Sequence, residues 1–284
     1  MKSLLNRSLP MGGLIILSFL LGSCQEGKQG PAGSAGTELP SVYASIYCDS
    51  GEDSLVAADA EVLIFGLDVV PEVKVNGQSV MQSGGFIWYG SLLPVTIGQD
   101  VSLQISYAAP DGSQKQAIAQ SQIPGEFHFV THSPDSTYEL TLGQPLTVGW
   151  SSSSGGDGYL ISFYAEYLYV DSVGNSQYGY TDFDTLVTQN TVTIPAGRLF
   201  PDLPQTGSID DYYGSLGLTV IKGPVQVGQR GNVTGDATGF FYTLRNAGYL
   251  SFGENGFAAA TPSPHETGEN QGDLVTRIRS HLLP

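Results

Sequence analysis

The sequence predicts an all-β protein built of two tandem antiparallel β-sandwich domains, and three observations carry that expectation. Apolar residues recur at every second position in short runs, most cleanly Val101, Leu103, Ile105 and Tyr107 with Ser102, Gln104 and Ser106 between them. Turn chemistry punctuates these runs: Asn76-Gly77 after Val73-Lys74-Val75, Gly84-Gly85 before Phe86-Ile87-Trp88-Tyr89, and Pro110-Asp111-Gly112 after Tyr107. Only 13% of the 284 residues are charged against 40% hydrophobic, which argues against a coiled coil, a helical bundle or a disordered acidic tail.

Taken in order, the chain opens on an export signal. Residues 1–23 contain Lys2 and Arg7, no acid, and an apolar run over 11–21. This is a positive n-region followed by an h-region of secretory length, too short and wrongly flanked for a permanent span. The run ends Leu21-Gly22-Ser23-Cys24, which resembles the lipobox of bacterial lipoproteins. The resemblance implies cleavage between Ser23 and Cys24, acylation of Cys24 through its sulfur and, with Gln25 rather than Asp behind the cysteine, an outer-membrane address. Loss of the signal takes the formal net charge from -16 to -18. So acidic a surface stands off from anionic headgroups, which leaves the lipid on Cys24 as the expected membrane attachment. It also offers no clustered Lys and Arg to a phosphate backbone, so nucleic acid is not an expected partner.

Residues 24–40 read as a Gly-rich, collagen-like tether of three triplets, too few for a triple helix. The first sandwich is expected over 41–125, with Trp88 as a core anchor. Val42, Ala44, Ile46 and Cys48 alternate, which places Cys48 in a strand core as a small hydrophobe. With Cys24 given to lipid, Cys48 has no partner for an intramolecular disulfide.

Ile123-Pro124-Gly125 separates this region from a second sandwich over 126–253. Leu146, Val148 and Trp150 alternate, a loop follows over 151–158, and Tyr159, Ile161 and Phe163 alternate again. This order of an inward Trp, a loop and a Tyr-x-aliphatic-x-aromatic strand resembles a fibronectin type III or related immunoglobulin-like domain over about 134–222. Later strands are expected at 191–194, at Leu203-Pro204, and from Tyr212 through Leu216, Leu218 and Val220. The stretch between Ile194 and Tyr212 is longer than that family keeps. Beyond 253 a polar, Pro and Gly-rich tail is expected to be flexible. Within it Leu274, Ile278 and Leu282 fall at helical spacing beside Arg277, Arg279 and His281. That segment reads either as a frayed terminal helix or as a basic segment docking on the acidic body or a partner.

The sequence lacks the nucleophile-elbow, zinc-helix, P-loop and dinucleotide-loop motifs, so a catalytic role is not expected. His128 and His132 would lie about 13 Å apart on one strand face, too far to share a zinc. The carboxylates Asp182, Asp184, Asp210 and Asp211 are weak candidates for calcium, without an EF-hand register. Tyrosine is the strongest lead to a ligand. Tyr164, Tyr167, Tyr169, Tyr178 and Tyr180 crowd one hairpin, more than one core face absorbs. They read as an aromatic ladder stabilising the hairpin or as a platform for a protein partner or a glycan. The expectation for the whole chain is a non-catalytic, lipid-anchored envelope protein for binding, adhesion or surface structure, with a carbohydrate-binding module as the alternative.

Overall fold

Wherever the sequence alternates, the backbone is extended and the apolar parity faces inward. The computed structural model describes residues 39–49, 55–253, 277, 278, 280 and 281. The signal, Ser23, Cys24, the tether up to residue 38 and the segment 254–276 lie outside the described residues. The first half contributes β1 (Ser41–Cys48), β2 (Leu55–Phe65), β3 (Glu72–Val75), β4 (Gln78–Ser79), β5 (Met81–Gly84), β6 (Ile87–Thr96), β7 (Asp100–Ala108) and β8 (Gln114–Gln122). The second contributes β9 (Thr137–Tyr138), β10 (Leu146–Gly149), β11 (Gly158–Val170), β12 (Ser176–Val187), β13 (Thr191–Ile194), the one-turn helix α1 (Ala196–Leu199), β14 (Ser208–Lys222), β15 (Thr234–Gly235) and β16 (Thr238–Gly253). The protein is therefore all-β.

The turn signals act through backbone geometry. Asn76 (φ 49°) and Gly77 (φ 76°) both take the left-handed conformation that a two-residue β3–β4 hairpin requires. The Asn76 side chain also accepts the Ser102 N–H at 2.9 Å. Leu203-Pro204, expected as a strand, is instead a loop, because Pro204 has no N–H to give a ladder. Its carbonyl accepts the Gly207 N–H at 2.9 Å to close a turn, and Leu203 packs on the second core.

Among the described residues the strands form three sheets. The largest has nine strands in the order β12-β11-β14-β16-β1-β2-β6-β5, with β9 also pairing β16. A five-stranded sheet, β15-β8-β7-β3-β4, packs on its β1-β2-β6 part, and the two-stranded β10-β13 packs on its β11-β14-β16 part. Most of the first core comes from 42–123 and most of the second from 127–252, so the punctuation at Ile123-Pro124-Gly125 falls between two cores. The sheet itself runs on across that division. β16 is 16 residues long and pairs parallel with β1 through its first part, Thr238–Arg245, and antiparallel with β14 from Thr243 to Gly253. Val233, Ala237 and Phe241, late in the chain, consequently lie in the first core.

A polar seam marks the passage between the cores. Thr243, fully buried on β16, donates its hydroxyl to the Gln122 carbonyl at 2.6 Å and lies 3.0 Å from the Ser121 hydroxyl. A buried hydroxyl needs such partners, since an unsatisfied one costs about 1–3 kcal/mol. The outer face of the sheet is partly covered as well. Leu160, Ile221, Tyr242 and Leu244 point away from both main cores and form a third cluster with Val225 and Ile278. Ile278 is fully buried, and the Arg277 guanidinium forms a two-pronged ion pair with Asp184 and donates to the Ser162 hydroxyl at 2.7 Å. At these residues the tail is docked on the body, the second of the two readings of this segment.

Candidate functional site

The candidate site is the outward face of β11, β12 and β14. Along β11 the odd residues Ile161, Phe163, Ala165 and Tyr167 fill the second core, so the even residues Tyr164, Glu166 and Leu168 face out. Register then fixes their neighbours. On β12, Asp182, Tyr180 and Tyr178 lie opposite Tyr164, Glu166 and Leu168. On β14, Ser215, Tyr213 and Asp211 lie opposite the same three.

Glu166 is the centre of this face. The Tyr164 hydroxyl donates to its carboxylate, the Tyr213 and Tyr178 hydroxyls stand close enough to favour its ionised form, and the Tyr164 and Tyr213 rings stand 6.2 Å apart at 59°. Partial desolvation pushes the Glu166 carboxyl up, but the three hydroxyls outweigh it and hold the group below its ordinary range. The same environment, burial first and Glu166 second, raises Tyr164 and Tyr213. Above ordinary carboxylate pH the face therefore carries the Glu166 charge at its centre among neutral phenols, with Asp182 and Asp211 on the flanking strands. That arrangement is lost as pH falls through the lowered Glu166 value. Tyr178 and Tyr180 remain the most open of the rings, at 58% and 63% exposed.

The five tyrosines singled out from the sequence thus divide. Tyr164, Tyr178 and Tyr180 stand on the outer face. Tyr167 and Tyr169 belong to the core side, with Tyr167 only 1% exposed. The Tyr167 hydroxyl donates to the Asp202 carboxylate at 3.0 Å and accepts the Asp202 N–H at 3.1 Å. Its ring fits because the residue opposite is Gly179, where any Cβ would sit 2.5 Å from ring carbons. Sequence reading missed Glu166 and Tyr213. Parity held the signal for both: Tyr213 is out of phase with Tyr212, Leu216 and Leu218, and Glu166 alternates with Ala165 and Tyr167.

The carboxylates proposed for calcium are spread over two strands flanking β11. Asp182 lies opposite Tyr164, and Asp184 is held by Arg277. Asp211 pairs with Leu168, while the register shift between Leu168 and Tyr169 makes exposed Asp210 the extra residue of a β-bulge. With β11 between them the two pairs are about 10 Å apart across the sheet. Among the described residues no three His, Cys, Asp or Glu side chains converge as a metal site would require. His128 points outward with its ring 3.3 Å from the Ser151 hydroxyl, and His132 lies edge-on to Tyr138 at 4.5 Å. Cys48 is fully buried in the first core, and desolvation pushes its thiol up to about 12, so it stays protonated. No protein-family model matches the chain, and no curated protein is similar to it.

Proposed function

We propose that the chain is a non-catalytic, lipid-anchored protein of the bacterial envelope, held through Cys24 at the outer membrane, that binds a partner through the tyrosine face around Glu166. The observation that carries this reading is the grouping of Tyr164, Tyr178, Tyr180 and Tyr213 about one carboxylate on three paired strands. Tyrosines supply rigid, amphipathic contact area at small conformational cost, and strands hold it in place better than loops do. A flat face with a central negative charge suits a protein surface bearing Arg or Lys. The immunoglobulin-like and fibronectin-like resemblance of the two halves is part of this proposal.

A glycan is the second reading, favoured by the open rings of Tyr178 and Tyr180, which present stacking faces. A photo-crosslinker at position 180 in intact cells separates the two. A discrete protein adduct, absent when the crosslinker stands at Thr147 and lost with Glu166→Gln, supports the protein partner. Selective glycan-array binding lost in Tyr178→Ala supports the carbohydrate reading. Neither signal, or hydrolase activity abolished by Asp182→Ala, removes the proposal. The address is tested separately: Cys24→Ser should release the protein from membranes and end lipid labelling.

A further inference from the structure

The end of the molecule where the folded chain begins carries an apolar surface that neither core uses. Pro40 lies against the start of the β2–β3 loop, where a Cβ on Gly66 would be 3.8 Å from its Cα, and Ser41 pairs with Phe65 at the end of β2. Around this entry point Leu39, Phe65, Val69, Val70 and Phe86 are 47%, 39%, 41%, 70% and 48% exposed. Phe86 forms the tip of the β5–β6 hairpin and its ring lies 4.7 Å from that of Phe65. Phe65, Val69, Val70 and Phe86 border a depression of about 350 Å³ between hairpin and loop. From Phe65 an aromatic row continues over the outer face of the sheet through Tyr43 at 6.2 Å and Phe240 at a further 6.0 Å. In the loop over 66–71 and the hairpin tip over 85–86, Asp68 is the one ionisable residue.

An apolar group of this kind on one end of a soluble fold marks a surface that meets something. Position says what. Fourteen residues separate Cys24 from Leu39, so Leu39 lies no further than about 50 Å along the chain from the acylated sulfur. Of the ends of the fold, this one is joined to the lipid by the shortest length of chain. We propose that this apolar end is a membrane-contact surface, seated in the outer part of the bilayer that holds the lipid on Cys24. The inference rests on the lipid-anchor reading above. Phe and Val side chains at loop and hairpin tips enter the headgroup and acyl boundary as the apolar face of an interfacial helix does. Contact too weak to hold the free protein suffices once the anchor confines it, because confinement raises the effective concentration. The contact also orients the molecule, since the end that meets lipid is fixed by where the chain enters.

Hydrogen exchange on the lipidated chain in zwitterionic phosphatidylcholine vesicles tests this. If cells do not acylate Cys24, a maleimide phospholipid coupled to Cys24 anchors the mature chain, because the thiol of buried Cys48 is unreactive. Co-sedimentation reports the anchor and exchange reports the surface, so the two readings fail separately. Amides over 66–70 and 85–86 should exchange about tenfold more slowly on vesicles than in the soluble Cys24→Ser protein, while those over 171–175 are unchanged. The variant Phe65→Ser/Val70→Asp/Phe86→Ser should lose that protection and still sediment. Equal exchange on and off vesicles overturns the proposal. So does concentration-dependent protection of the soluble protein with a dimer mass, which would assign the surface to a second copy.

Discussion

The two halves of the protein bury comparable cores by different means. The first core is mostly aliphatic, Val, Ala, Ile and Leu with Trp88 and Phe241, and lies under a five-stranded sheet. The second lies under only the two-stranded β10-β13 and is filled with Phe127, Phe129, Trp150, Tyr159, Phe163, Tyr167, Phe200, Tyr212 and Phe252. A full cover leaves a layer about 10 Å thick that small branched side chains fill. Where the cover is narrow, large rings supply the missing volume and lid together. Phe200, just after α1, stands 5.1 Å from Tyr167 and 5.5 Å from Tyr212 and closes the gap beside β13. Where tyrosine enters both parities of a hairpin, as in β11, the rings left over appear on the outer face as a candidate binding surface.

This contrast depends on β16 serving both cores, and Gly239 is where it breaks most completely. Its φ of 147° and a Cβ position 1.8 Å from the Val42 carbonyl oxygen leave no room for a side chain. Gly239→Val should cost more than about 4 kcal/mol and lose both cores in one transition in urea, monitored by Trp88 and Trp150 fluorescence. Separate transitions would mean that the halves fold independently. Next in size, Phe163→Ala should cost about 3–5 kcal/mol, against about 0.5–1.5 kcal/mol for Ile105→Val, by chemical denaturation. Similar losses would indicate that ring volume is not what holds the narrow-covered side.

Smaller effects sharpen the comparison on the outer face. Asp184→Asn removes the charge that holds Arg277 and should weaken tail docking by about 1–3 kcal/mol. Faster exchange at residues 277–281 with an unchanged global midpoint is the expected result. The smallest effect concerns pH. Burial raises the Glu61 carboxyl above its ordinary 4.5, so the folded state holds the proton more readily and stability declines as pH rises through the window between 4.5 and the raised value. Glu61→Gln should remove that decline and leave the protein slightly more stable at pH 7, measured as urea midpoints from pH 4 to 7.

The strands were legible because a face that is half buried writes its pattern at period two. Val101 to Tyr107 and Tyr159 to Phe163 needed no tertiary information, nor did the Asn76-Gly77 turn. β16 left no such trace. Phe241 faces the first core while Phe240, Tyr242 and Leu244 lie against the outer cluster, so both parities are apolar and alternation disappears. Its pairing with β1 joins residues about 200 apart, for which local pattern holds no signal. The candidate site was half legible: crowded tyrosines announced a face, but assigning each to one side required the phase of β11. Once Tyr167 is seen to need Gly179 opposite, that phase places Tyr164, Glu166, Tyr178, Tyr180 and Tyr213 together.

The parallel pairing of β1 with β16 also sets a timetable. Until residues 238–245 have emerged, β1 is an uncovered edge and the first core lacks Phe241, so the earliest part of the chain to appear waits for nearly the last. Long-range pairing of this kind makes folding slow and late. If the chain is exported as proposed above, the delay keeps it unfolded during passage, and it closes once β16 arrives.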